Sequence, residues 1–156
     1  MFKNMKKQLN NEKGLTLIEL LAVIVILAII AAIAVPAIGN IIAKSNDRAI
    51  LADASTVLSG AKLAIANNEC KEDKTAKTIT CNATVLKSYV EKDIVTGNDT
   101  TGDKVVKETE TNEYTIHYAN FKEIKKITVD GLTQSNGTTT SDTLTEEKLL
   151  AAMGKN

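Results

Sequence analysis

The sequence predicts an α+β protein: a long N-terminal helix, apolar in its first half and amphipathic in its second, packed on a small antiparallel β-sheet head. Three observations predict it. No charged side chain occurs from Leu20 to Ala43. After that run Ile50, Ala54, Val57, Leu58, Ala61 and Ile65 recur three and four apart, which is the spacing of one helix face. Past Asn68 the helical period gives way to short alternating segments separated by Gly, Asn and Asp. The implied organisation is a basic start over 1–14, an apolar helix over 15–43, its amphipathic continuation over 44–68, and a small globular head over 69–156.

The start holds Lys3, Lys6, Lys7 and Lys13 against Glu12. The uncharged run that follows is about 36 Å long at helical rise, enough to cross a hydrocarbon core. Lysines ahead of it keep the N-terminus cytoplasmic and send the C-terminus outside. Glu19 is the unusual residue. An ionised carboxylate at the edge of an apolar helix costs several kcal/mol, on the order of the desolvation of any unpaired charge, unless a cation meets it. The natural candidate is an amine of another copy of the chain. Pro36 removes a helix hydrogen bond and its ring crowds the carbonyl four residues back, so a kink is expected between Ala32 and Pro36. Two plainer explanations stand beside this one. Ala32-Ile33-Ala34 has the small-x-small form of an ordinary secretory cleavage site, although the apolar run continues through Ile38, Ile41 and Ile42. A simple membrane anchor would also place Glu19 favourably at the positive end of the helix dipole.

The stretch Lys13-Gly14-Leu15-Thr16-Leu17-Ile18-Glu19-Leu20-Leu21, with the apolar run behind it, resembles the precursor of a type IV pilin or pseudopilin. The resemblance covers about Lys13 to Lys44 and needs glycine, glutamate and apolar run in register. It implies that residues 1–14 are a leader cut off by a prepilin peptidase between Gly14 and Leu15. It further implies methylation of the new Leu15 amine and a Glu19 that attracts the Leu15 amine of a neighbouring subunit. Pro36 falls where many members carry a helix-bending proline. The usual first mature residue is phenylalanine, and Leu15 departs from that. The implied partners are further copies or other pilins in one polymer, the peptidase, and a membrane assembly machine driven by a cytoplasmic ATPase. The function implied is a structural subunit of a surface filament serving adhesion, motility or DNA uptake. A pseudopilin of a secretion or competence apparatus, or an anchored binding protein that never polymerises, are the alternatives.

Along the second helical half, Lys44, Asp47, Asp53 and Lys62 read as lying off the apolar stripe, and Asn67-Asn68 as the stop. Cys70 and Cys81 suggest one disulfide in an oxidising compartment, closing a polar loop. Thr84 to Glu91 reads as a short helix and Val105-Val106 as a short strand. Glu113 to Phe121 alternates Tyr114, Ile116 and Tyr118 against polar neighbours, a half-buried strand. Asp130-Gly131 between Ile124–Val129 and Leu132–Gln134 gives a hairpin signal. Gln134 to Asp142 reads as a polar loop. Thr143 to Met153 reads as a closing helix, capped by Thr143 and Glu146 and stopped at Gly154.

Several function classes find no support. After Gly14 the chain carries 15 basic against 18 acidic residues, no footprint for nucleic acid. His117 has no serine or cysteine partner in a catalytic spacing and reads as a solvent-facing strand residue, so no catalytic site is expected. Two thiols and one histidine do not make a metal site, and no cofactor is expected. Asn98, Asp99 and Asp103 lack the spaced carboxylates of a calcium loop. The Asn-x-Thr triplets at Asn82, Asn98 and Asn136 are chance-level matches. Lys122, Lys125 and Lys126 form a small basic spot that reads as a solvated face.

Overall fold

The structure, a computed structural model, describes residues 16–91, 94–97, 102–132, 134–135, 138–139 and 141–154. Its elements run α1 (Leu17–Ala66), β1 (Lys71–Asp73), β2 (Thr78–Asn82), α2 (Ala83–Leu86), β3 (Lys104–Glu108), β4 (Tyr114–His117), a 3-10 turn (Ala119–Glu123), β5 (Gln134–Ser135), β6 (Thr138–Thr139), β7 (Thr143–Thr145) and α3 (Glu146–Gly154). The class is α+β. Residues 1–40 and 41–156 form two structural units, and the second contains the amphipathic part of α1 together with the head.

Alanine, leucine and isoleucine carry α1 as strong or adequate helix formers. It ends in a Schellman arrangement. Asn68 takes a left-handed φ of 59°, its N–H donates to Ile65 O at 3.0 Å, and the Glu69 N–H reaches Ala64 O at 3.0 Å. Asparagine tolerates that conformation better than other non-glycine residues. The Asn67 side chain then donates to Tyr89 Oη at 2.8 Å.

The face of α1 that enters the core is Leu51, Ala54, Val57, Leu58, Ala61 and Ala64, all buried, with Ile50 and Ile65 at its margins. Opposite it the sheet is fully antiparallel in the order β1-β2-β3-β4-β7. The pairings Cys81↔Val105, Val105↔Ile116 and Ile116↔Leu144 align one apolar row across four strands, and every member is buried. The neighbouring row Thr80, Val106, Thr115, Thr145 points the other way, as the two-residue period requires. Tyr118 and Phe121 pack edge to face with ring centroids 5.5 Å apart, worth about 0.5–1.5 kcal/mol beyond their burial.

Several local expectations fail for identifiable reasons. Asp130-Gly131 does turn, with φ +97° at Gly131 and Leu132 N–H on Val129 O at 3.1 Å, but among the described residues 124–129 form no strand, and Gln134 pairs with Thr139 instead. The segment before it spends the N–H groups of Lys125, Lys126 and Ile127 on the Asp47 side chain of α1, so these three are not free for a ladder. The hairpin lies instead between β5 and β6, inside the expected polar loop. Thr143 does not cap a helix. It pairs with His117 in β7, and α3 begins only at Glu146. The helix expected over Thr84–Glu91 is one turn, Ala83–Leu86, capped by the Asn82 side chain on Val85 N–H at 3.1 Å. The loop inside Cys70–Cys81 contains the β1–β2 hairpin, held by Asp73 Oδ1, which accepts from Thr75 and Ala76 N–H.

Candidate functional site

The site begins at the first turn of α1. Thr16 and Glu19 form a reciprocal cap: Glu19 Oε2 accepts the Thr16 N–H and the Thr16 hydroxyl, each at 2.8 Å, while the Glu19 N–H reaches Thr16 Oγ1 at 3.3 Å. This is the Thr-x-x-Glu capping box, which satisfies two of the helix's orphan donors and contributes about 1 kcal/mol. The signal is plain in Thr16-Leu17-Ile18-Glu19, and sequence reasoning missed it by weighing only a distant cation and the helix dipole. Both bonds to the carboxylate use Oε2, and a carboxylate has further acceptor positions, so the cap does not exhaust Glu19.

Behind this carboxylate the helix surface is apolar and uncovered. From Leu17 to Ile42 its large side chains are exposed, Ile24 by 56% and Ile33 by 71%. The helix is long and apolar enough to cross a membrane, and none of its most apolar window is buried. Such a surface requires lipid or other apolar helices around it, because contiguous exposed apolar area of this extent is unfavourable in water. Pro36 lies within α1, where it has no N–H for the carbonyl of Ala32. Helical backbone continues on both sides of it. Gly14 and Leu15 lie outside the described residues.

In the second unit the residue that sequence reasoning misplaced is Asp47. It is 2% exposed, and its carboxylate accepts three consecutive main-chain N–H groups: Lys125 on Oδ1 at 3.1 Å, Lys126 on Oδ2 at 2.6 Å and Ile127 on Oδ2 at 2.8 Å. The other candidates are structural too. Cys70 and Cys81 are joined by a disulfide, Cα atoms 4.6 Å apart, and Cys81 is fully buried against α1 with Sγ 3.7 Å from Ala61 O. Asp103, also 2% exposed, accepts Val95 N–H and Ala119 N–H at 2.8 Å each, which ties the loop before β3 to the 3-10 turn. Asn98 and Asp99 lie outside the described residues, as does Asn136. Among the described residues no three His, Cys, Asp or Glu side chains gather as metal ligands.

His117 is half-buried rather than solvent-facing. Its Nδ1 lies 3.0 Å from Thr143 Oγ1, and that hydroxyl lies 3.2 Å from Asp142 Oδ1. A hydroxyl has one proton, so when Thr143 gives it to Asp142 the imidazole carries its own proton on Nδ1. Burial pushes the imidazole below its ordinary value, the ammonium of Lys104 on the paired strand adds to this, and Asp142 opposes it. Asp142 is held below the usual carboxylate range: partial burial pushes it up, but the Lys122 ammonium at 3.2 Å and the Thr143 hydroxyl outweigh that.

Residues 9–35 match the prokaryotic N-terminal methylation motif, the class III signal peptide of type IV pilins. Neither curated proteins nor solved structures provide a match to the chain.

Proposed function

We propose, from a chain whose N-terminal segment is type IV pilin- or pseudopilin-like, that the protein is the precursor of a structural subunit of a type IV pilus-like surface filament. Residues 1–14 hold it in the cytoplasmic membrane, with the head outside, until a prepilin peptidase cuts between Gly14 and Leu15. The Leu15 amine is then methylated and stays positive. A membrane machine with a cytoplasmic ATPase moves the subunit into a polymer of identical or mixed pilins, where apolar helices, bent at Pro36, pack in the core.

The observation that supports this most is the exposed apolar surface of Leu17–Ile42 with a carboxylate at its head. A capping box alone contributes about 1 kcal/mol. A charge pair about 4 Å apart, in surroundings of effective dielectric near 20, gains about 4 kcal/mol before desolvation. The intersubunit amine is the reading of Glu19 we favour, because a cation there also offsets the cost of carrying the carboxylate into an apolar core. The same contacts would serve a short pseudopilus of a secretion or competence apparatus, and long filaments seen by electron microscopy discriminate against that reading.

Glu19→Gln isolates the charge, because glutamine keeps the capping box. The expected result is membrane accumulation without filaments, while Thr16→Val, which breaks the cap and leaves the charge, still assembles. Normal filaments from Glu19→Gln would sink the intersubunit pair. Mass spectrometry of the exported chain supplies the second check: an N-terminus at Leu15 supports the pilin route, one at Val35 an ordinary secretory cut.

A further inference from the structure

The basic spot around Lys125 has a place in the fold that the filament alone does not explain. Ala43 is the last residue of the uncharged run and Lys44 the first charge after it. Arg48 follows Lys44 by one helical turn, on the same side of α1. Asp47, in the same turn, grips the main chain at residues 125, 126 and 127, so Lys125 and Lys126 are brought to the level where the apolar helix ends. Lys44, Arg48, Lys125 and Lys126 are all exposed.

We propose that these four residues form a docking surface for anionic phospholipid headgroups on the outer face of the membrane, used while the precursor is still embedded. This rests on the membrane residence proposed above. Charge supports it. Of the two acids that line the cleft here, Asp47 is buried and engaged by three main-chain donors, and Glu123 is exposed. Four cations thus gather on and beside the Ala43–Arg48 stretch of α1, although the chain after Gly14 holds more acids than bases. Lys122, by contrast, is tied to Asp142 at 3.2 Å and belongs to the sheet side.

Shape supports it as well. An open cleft of ≈ 410 Å³ lies at this level, lined by Ala43, Asn46, Asp47, Ile50, Glu123 and Lys125. Ala43 and Ile50 are its apolar lining, Lys125 and Asn46 supply donors, and Glu123 adds one exposed carboxylate. A phosphodiester headgroup with the start of its acyl chains has that same division. Because Asp47 uses main-chain donors, the lysine side chains are left to reach a headgroup, by the same charge attraction through which basic clusters on the cytoplasmic side of membrane helices bind anionic lipid.

The test uses the full chain in vesicles of phosphatidylcholine alone and of phosphatidylcholine with phosphatidylglycerol. Lysines are labelled with an uncharged, water-soluble amine-reactive ester and read by mass spectrometry. Phosphatidylglycerol is expected to reduce labelling of Lys44, Lys125 and Lys126 by about fivefold at low salt, with the effect lost at high salt. Lys74, in the β1–β2 turn, should be unaffected. In a K125Q/K126Q chain the grip of Asp47 is untouched, and the lipid-dependent protection of Lys44 should fall. Equal labelling in both vesicles overturns the proposal. So does protection that follows protein concentration, which would mean that a second copy covers the surface. Unchanged Lys44 protection in K125Q/K126Q would remove the loop lysines from it. A chain that floats with neither vesicle instead defeats the membrane reading beneath it.

Discussion

The main-chain N–H of Lys126 donates to Oδ2 of Asp47 at 2.6 Å, and the flanking N–H groups of Lys125 and Ile127 use the same carboxylate. One helix side chain thereby takes the place of a strand partner for a segment 78 to 80 residues away. Hydrogen bonds to a charged acceptor are worth about 1.5–3 kcal/mol each, and orphaned donors cost extra. Asp47→Asn, which keeps the shape but turns an acceptor into a donor, is expected to destabilise the protein by about 3 kcal/mol. Lys126→Ala should change stability by less than about 0.5 kcal/mol, because only its main chain is used. Denaturant midpoints of the detergent-solubilised chain measure both.

Gly60 faces the segment after α2. A Cβ there would overlap Cγ2 of Val90 and sit 3.3 Å from Cβ of Tyr89. Valine is stiff at χ1 and cannot swing aside, so Gly60→Ala is expected to cost about 1–3 kcal/mol despite alanine's better helix propensity. Combining it with Val90→Ala should recover part of that loss, and a double-mutant cycle reads the coupling.

Reduction of Cys70–Cys81 reopens a loop of 11 residues. The chain-entropy relation gives a loss of about 2–3 kcal/mol, to be seen as a lower urea midpoint with reductant present. A Cys70→Ala/Cys81→Ala chain should match the reduced protein and be indifferent to reductant.

His117 makes a prediction about pH. Its folded-state value lies below the ordinary one near 6.5, mainly through burial. At neutral pH the imidazole is neutral in both states and the protein has its full stability from this group. As pH falls through about 6.5 the unfolded chain binds the proton first, so stability declines toward the folded-state value. His117→Gln is expected to flatten stability against pH between about 7 and 5. An NMR titration midpoint at or above 6.5 would contradict the depressed value.

The sequence carries these features unequally, and the reason is physical. A long helix announces itself through Leu20–Ala43 and the stripe at Ile50–Ile65, because period and composition are local. The strand at Tyr114–His117 shows in the same way through alternation. The burial of Asp47 does not show, since an acid beside an apolar stripe looks solvated until the chain 78 residues later is folded against it. The same bonds bear on the failed hairpin: Asp130-Gly131 gives the turn, but Asp47 has taken the Lys125, Lys126 and Ile127 donors from the middle of the expected strand at Ile124–Val129. Thr143 shows the opposite problem. Thr-x-x-Glu marks a true cap at Thr16–Glu19 and a false one at Thr143–Glu146, and only the pairing of Thr143 with His117 separates them.

The disulfide has a mechanical consequence. Cys70 lies four residues past the end of α1, and Cys81 sits on β2 within the buried row of the sheet. Tension drawn along the helix therefore passes through sulfur straight into β2. Residues 71–80 fall inside the covalent ring and bear none of the load, so the short β1–β2 hairpin, weak on its own, cannot be peeled open by a pull on the stalk.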